Sequence, residues 1–455
     1  MTMTEQNNTI CAISTPSGVG GIAVIRVSGH DAIAIADTLW QGKSLLEAAS
    51  HTVHYGSIAD REGNIIDDCV ATVFRGPRSF TGEDVVELSV HGSVYVQKET
   101  VNALLSAGAR LAERGEFTRR AFASGKMDLA QAEGVADLIA SRSRAAHDIA
   151  VRQMRGGFSK RLSMLHDSLL ELASLLELEL DFSEEDVEFA SRRKLYAQAV
   201  ELRDEIQRLA TSFDSGNAIK EGIPVAIIGP TNVGKSSLLN ALVGDDRAIV
   251  SDIHGTTRDL IEDTVNIGDF TFRFIDTAGI RDTSDTIEQL GIDRSRRAIG
   301  RAAILLQVID AVNPRTIEYA DNIADSQHLI TVINKTDAAS SDKAKAIVGQ
   351  TETIVEVSAR THDGIERLRD TLTGIARTLL AGSGDIIVTN ARHYQALTAA
   401  LPPLNRVIDG LTANLSGDFI AQDLREVLHH LGSITGSVTT QEILTSIFIR
   451  FCIGK

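Results

Sequence analysis

Nine residues constrain this chain more than any others: "GPTNVGKSS", Gly229 to Ser237, set between the apolar run "VAIIG" and the stretch "SSLLNALVG". The pattern G-x-x-x-x-G-K-[ST] between a strand and a helix is a phosphate-binding loop. Gly229 and Gly234 let the backbone curl so that its N–H groups face phosphate, and the helix N-terminus adds its positive end. Lys235 is placed to reach the β- and γ-phosphates, and Ser236 to ligate Mg²⁺. A chain carrying this unit must build a parallel α/β sheet around it. The runs "TFRFIDT", "AAILLQVID", "LITVINK" and "IVEVS", alternating with helical stretches as far as about Ala381, predict a doubly wound sheet.

Three further motifs follow in order, each at a predicted strand end. "DTAG" (Asp276 to Gly279) supplies a carboxylate for the Mg²⁺ shell and, from Gly279, an N–H that can sense the γ-phosphate. "NKTD" (Asn334 to Asp337) ends another strand. The Asp337 carboxylate can accept two hydrogen bonds from guanine's edge, a donor pair that adenine lacks, while the stem of Lys335 can lie along the base. "VSA" (Val357 to Ala359) offers an N–H to the guanine oxygen. An ATPase leaves "NKTD" without a task, so the expectation is GTP. "GTTRD" (Gly255 to Asp259) lies where a loop closes over the γ-phosphate, with Thr257 as second Mg²⁺ ligand; the alternative is an ordinary surface turn. The full GTP set is Asn232, Val233, Gly234, Lys235, Ser236 and Ser237; Ser251, Asp252, Ile253, His254, Gly255, Thr256 and Thr257; Asp276, Thr277, Ala278 and Gly279; Asn334, Lys335, Thr336 and Asp337; and Ser358, Ala359 and Arg360. Where Ras-like proteins place a water-orienting glutamine after D-x-x-G, this chain has Ile280, so hydrolysis must recruit another group.

The α/β block occupies only a portion of the 455 residues. Before it, residues 10 to about 110 mix short β-branched runs ("GIAVIRVSG", "DVVELSVHG") with an amphipathic helix ending at Gly108, predicting an α+β domain. From about Met127 to Phe213, and again after "AGSGD", the apolar spacing is helical. The economical reading is a G domain inserted into one helical domain; two independent helical domains are the alternative. The expected division is 1–123, an N-terminal domain; 124–215, the first helical segment; 216–382, the G domain; and 383–455, the second helical segment. No apolar run approaches the ~18 residues of a spanning helix, and no signal peptide is evident. Cys11, Cys69 and Cys452 are three and far apart, which predicts no disulfide framework and a cytoplasmic location. The net charge of −16 argues against nonspecific coating of nucleic acid but leaves room for one structured RNA.

The motifs "GPTNVGKSS", "GTTRD", "DTAGIR" and "NKTD", with the terminal "CIGK", resemble the tRNA-modifying GTPase family called MnmE or TrmE. The likeness extends to "SFTGEDVVEL" (Ser79 to Leu88), "ERGEFTRRAF" (Glu113 to Phe122) and "GKMDLAQAEGVADLI" (Gly125 to Ile139), and so spans essentially the whole chain. The resemblance implies that Asn232 coordinates K⁺ with Ser251, Ile253 and Thr256, and that Glu288 positions the attacking water. It implies an N-terminal domain that dimerises and binds a reduced folate (5,10-methylenetetrahydrofolate or 5-formyltetrahydrofolate) through Arg26, Glu87, Lys126 and Lys455, with Cys452 placed for chemistry beside it. The implied activity is K⁺-activated GTP hydrolysis coupled to modification at C5 of the wobble uridine in certain tRNAs, adding a carboxymethylaminomethyl-type group. The implied partners are a second copy, tRNA and an FAD-dependent MnmG (GidA) protein completing a heterotetramer, with no membrane. The alternative is an RNA- or ribosome-binding switch GTPase of the Era or Der type.

Overall fold

A computed structural model describes residues 9–181, 192–244, 263–275, 299–315, 327–348, 353–381, 386–413 and 415–449, with Phe451 and Gly454. It divides into two compact units: Met1–Ala136 with Gln153–Met164 and Leu431–Lys455, and Asp137–Arg152 with Leu165–His430.

The first unit is built on a seven-stranded sheet. Its strands are β1 (Ile10–Ile13), β2 (Ile22–Ser28), β3 (Trp40–Gln41), β4 (Thr52–Ala59), β5 (Ile65–Phe74), β6 (Val85–His91) and β7 (Arg110–Leu111), in the order β3-β4-β5-β6-β2-β1-β7. All neighbours are antiparallel except β1 and β7. The strand "IAVIRVS" alternates as a half-covered strand must. Ala23, Ile25 and Val27 are buried with Leu39, Leu88 and Leu104 in the larger core, which includes residues of α1 (Ala32–Leu39) and α2 (Val94–Ser106). A second, smaller cluster gathers Ile10, Ala12, Ala112 and Phe117, with Phe80 against it. β4 and β5, which the sequence reading did not anticipate, carry the sheet outward from β6. Helices α3 (Glu116–Ala123) and α4 (Leu129–Ala140) follow. Leu129 and Ala132 form an apolar cluster with Ile447, Phe448 and Phe451 of the C-terminal segment.

Next come α5 (Arg144–Met154), α6 (Gly157–Asp181), α7 (Arg192–Thr211) and α8 (Phe213–Glu221). The second unit holds a six-stranded sheet of β8 (Ile223–Ile228), β9 (Asp263–Ile267), β10 (Phe270–Phe274), β11 (Ile304–Asp310), β12 (His328–Asn334) and β13 (Ile354–Glu356), ordered β13-β12-β11-β8-β10-β9. β8, β10, β11, β12 and β13 run parallel, as the apolar runs predicted. β9 is an antiparallel edge strand joined to β10 by a tight hairpin, outside that expectation. Because β8 lies between β10 and β11, the chain crosses in opposite directions on either side of it. The loop leaving β8 therefore opens at a topological switch point, where such sheets bind ligands. That loop leads into α9 (Lys235–Val243).

Helices α10 (Asp342–Val348) and α11 (Ile365–Ala381) complete the α/β layers, and α12 (Ala391–Thr412), α13 (Gly417–Thr435) and α14 (Gln441–Phe448) follow. α7 packs along α12. At the junction Phe213 stacks on Tyr394 with ring centroids 4.7 Å apart, and the Val388 N–H donates to Ser212 Oγ at 3.0 Å. No described helix is long and apolar enough to cross a membrane.

Candidate guanine-nucleotide site

Three loops at the carboxyl ends of β8, β12 and β13 converge on a cavity of about 260 Å³ lined by Gly234, Ser237, Asn334, Lys335, Asp337, Ala338, Ala359 and Arg360. Gly234 caps α9 at φ +93, and a Cβ there would lie 2.3 Å from the Asn334 amide nitrogen, so only glycine fits. Ser236 and Ser237 stand in the first turn of α9, at its positive end. The Lys235 ammonium donates to the carbonyls of Gly229 and Pro230, each at 2.7 Å. Burial pushes its pKa below the ordinary lysine value, so an anionic ligand in the loop would relieve a real desolvation cost.

Asn334, which ends β12 and is buried, ties the loops together. Its Nδ2 donates to the Val233 carbonyl at 2.9 Å, and its Oδ1 accepts the Ala359 N–H at 3.0 Å. Asp337 faces the cavity with its carboxylate already aimed. The buried Ser358 hydroxyl donates to Oδ1 at 2.7 Å, and Arg360 pairs with Oδ2. The Ser358 hydrogen bond and the Arg360 charge hold this carboxyl below the usual range, so it is an acceptor at neutral pH. Thr336 donates its N–H to the Val357 carbonyl at 3.3 Å, which fastens "NKTD" to "VSA". Lys335 donates to the Asn232 carbonyl at 2.8 Å and to Asp310 Oδ2 at 2.6 Å. In the sequence the only signal for Asp310 is a carboxylate closing the strand "ILLQVID".

The first unit holds the other predicted cluster. Arg26 lies within β2, directly across from Glu87 on β6, and its Nε donates to Glu87 Oε1 at 2.9 Å. Its guanidinium sits 5.2 Å from the Phe80 ring centroid and 5.6 Å from that of Phe117, a half-buried cation between two phenyl faces. The segment bearing Phe80 is pinned. Glu83 accepts from Ser28 at 2.8 Å and twice from Arg120 at 3.1 Å, and Ser124 donates to the Thr81 carbonyl at 2.6 Å. Lys126 donates to the Pro77 carbonyl at 2.8 Å. Gly454 reaches this unit too, its carbonyl accepting from Ser14 Oγ at 3.1 Å. Residues 251–257, 276–280, Glu288, Cys452 and Lys455 lie outside the described residues. Those described hold no group of three or more His, Cys, Asp or Glu side chains able to bind a metal.

A P-loop on a switch-point strand, beside a buried-serine-oriented aspartate, defines a guanine-nucleotide-binding α/β protein. The family model described as the MnmE helical domain matches residues 129–452, and that of the GTP-binding protein TrmE N-terminus matches residues 9–126. A tRNA modification GTPase MnmE from Parabacteroides distasonis is 51% identical over 98% of this chain and 100% of its own length. Proteins of that name from Bacteroides fragilis and Christiangramia forsetii are 50% and 47% identical, covering 98% and 99% of this chain and 99% of each relative. Among solved structures, the G domain of the Thermotoga maritima FeoB iron transporter aligns with 34% of this chain and 98% of its own, at 25% identity and a TM-score of 0.26. The chain belongs to the MnmE family.

Proposed function

We propose that this protein is a GTP hydrolase acting in tRNA modification, activated by K⁺ and working with an MnmG-type partner on C5 of the wobble uridine. The observation that carries the nucleotide assignment is Asp337, its carboxylate aimed by Ser358 beside a P-loop in one cavity. The tRNA assignment rests on relatives named as tRNA modification GTPases over almost their full length.

The chain's own residues account for binding and orientation. The curled loop and the α9 N-terminus present N–H groups to the phosphates, Lys235 supplies a cation, and Asp337 reads the base. The hydroxyl of Ser236 in the first turn of α9 is a hard oxygen donor suited to Mg²⁺, with Thr257 as its partner ligand. Asn232 stands exposed at φ +63, offering an amide oxygen of the kind K⁺ takes; Ser251, Ile253 and Thr256 are assigned beside it through the family resemblance. A bound K⁺ would neutralise charge developing between the phosphates. Glu288 is assigned to orient water on the strength of the family resemblance, Ile280 being unable to hydrogen-bond it.

In the first unit, Arg26, Glu87 and Lys126, with Lys455, are assigned to a reduced folate. The aromatic-flanked Arg26–Glu87 pair suits a planar ligand carrying both hydrogen-bond donors and carboxylates. The folate would supply a one-carbon unit, near which Cys452 would act. The packing of α7 on α12 supports a G domain inserted between helical segments at about 216–382, within a chain that pairs with a second copy. A plain Era- or Der-type switch would have no use for the TrmE N-terminal segment matched at 9–126.

Two measurements test the proposal. GTP turnover at matched ionic strength should be much faster in KCl than in NaCl, and Asn232→Ala should remove the difference. Nucleoside analysis of tRNA from a deletion strain should show loss of the modified wobble uridine. Equal rates in both salts would overturn K⁺ activation, and unchanged tRNA would overturn the modification role.

A further inference from the structure

We propose that Asp310 is a positioning residue of the nucleotide site, holding the Lys335 ammonium against the P-loop so that the base-reading and phosphate-holding loops are braced as one body. This rests on reading the cavity as a guanine-nucleotide site.

The Lys335 ammonium has two partners, one from each side. Asp310 Oδ2 accepts it at 2.6 Å from the end of β11, and the Asn232 carbonyl accepts it at 2.8 Å from the P-loop. Both loop residues are strained. Lys335 has φ +66 and Asn232 φ +63, a left-handed backbone that side chains rarely adopt and that persists only where the surroundings over-determine it. The lysine bridge joins those two strained residues to each other.

Asp310 is itself held by backbone. It pairs in register with Asn334 at the ends of β11 and β12, its Oδ1 accepts the Val312 N–H at 2.9 Å, and the residue is only 9% exposed. One carboxylate oxygen is thus fixed, and the other is left pointing at Lys335. A carboxylate this far from water needs a cation, and Lys335 supplies it. The ammonium would otherwise be drawn to solvent, because the Lys335 side chain is 37% exposed, and its stem would leave the cavity wall that it forms. Asp337 touches the cavity from the next turn and makes none of these contacts, so the brace and the base reader are separable.

The test is a double-mutant cycle on release of a fluorescent GDP analogue from the full-length chain. Asp310→Asn keeps the shape and an oxygen for the Val312 N–H but removes the charge; Lys335→Met keeps the stem but removes the ammonium. Each single change should speed release about tenfold. In the Lys335→Met background Asp310→Asn should add less than twofold, because its partner is already gone. Neither change should alter the preference for guanine over xanthine nucleotides. Multiplying effects in the double variant, or release by Asp310→Asn at the wild-type rate, would overturn the proposal. Failure of the underlying site reading looks different: the wild type would not retain the analogue, or Asp337→Asn would not shift preference toward xanthine.

Discussion

The Asn334 side chain lies 2.9 Å from the carbonyl of Val233, one hundred and one residues earlier in the chain, and this contact locks the end of β12 onto the P-loop. Its other end takes the Ala359 N–H, so one buried amide spans all three loops of the cavity. Phosphate grip and base recognition therefore share a single fixed frame.

Asn334→Ala should break that frame. It orphans a backbone carbonyl and a backbone N–H, each worth roughly 1–3 kcal/mol where water cannot replace the partner. GDP affinity should fall at least about tenfold in a fluorescence titration, with guanine preference retained because Asp337 is untouched. Full affinity would show that the loops are held by other contacts.

Asp337→Asn should exchange specificity rather than abolish binding. Ser358 and Arg360 still orient the side chain, but an amide presents a donor where the carboxylate presented an acceptor. GTP should bind more weakly and xanthosine triphosphate more tightly. Competition binding with the two nucleotides measures this, and unchanged discrimination would contradict the assignment of Asp337.

How much of this was legible beforehand follows from where the information sits. The P-loop is encoded locally, since glycines, lysine and serine must follow a strand within nine residues; the helix expected from Ser236 begins at Lys235. Asp310 was not legible because its partner is 25 residues away and nothing nearby marks a strand-end carboxylate as paired. Arg26 stands out in the sequence only through the family resemblance. Only the β2–β6 register places Glu87 across from it, and only the fold brings Phe80 and Phe117 to its sides. β9 escaped notice because "DTVNI" is short and mixed in polarity; its pairing with β10 supplies what its own propensity lacks.

The C-terminal tail offers a sharper test than the cysteine alone. Gly454 has φ +93, and a Cβ there would stand 2.2 Å from the Ile13 carbonyl oxygen, a backbone atom of a sheet strand that cannot step aside cheaply. Gly454→Ala should displace the tail and, with it, Cys452 and Lys455. Modified wobble uridine should drop in a strain whose only copy carries the change, while GTP turnover stays near normal because the described residues lining the nucleotide cavity all belong to the second unit. Wild-type modification would show that tail placement is dispensable.

The thiols should separate cleanly in the native protein. Burial pushes the Cys11 thiol up to about 11, and burial with the nearby Asp67 and Asp68 charges pushes Cys69 up to about 12. Fewer than about one in a thousand would be thiolate at neutral pH, and neither side chain is accessible. Neither Cys11 nor Cys69 should therefore react rapidly with a thiol reagent in the native protein, so any fast-reacting thiol should vanish in Cys452→Ser, while all three cysteines react in denaturant. A fast thiol remaining in that variant would mean that the sheet opens on the labelling timescale.

Glu116 ties the stability of the first unit to pH. Glu116 is 2% exposed, and burial alone would raise its pKa. Hydrogen bonds from Arg110 and the Glu113 N–H, with the Arg120 charge, outweigh burial and hold it at about 2, against an ordinary 4.5. A depressed pKa gives stability that is fully present above the unfolded value and is lost as pH falls through the folded one. The full shift corresponds to something on the order of 3 kcal/mol. Glu116→Gln should therefore destabilise this unit at pH 7, and the gap from wild type should narrow as pH falls from 4.5 toward 2. Trp40, the chain's single tryptophan, is buried in the core of this same unit, so its fluorescence during urea unfolding reports the unit selectively. A gap that stays constant from pH 7 down to pH 3 would show that the ionised Glu116 is not what the arginines stabilise.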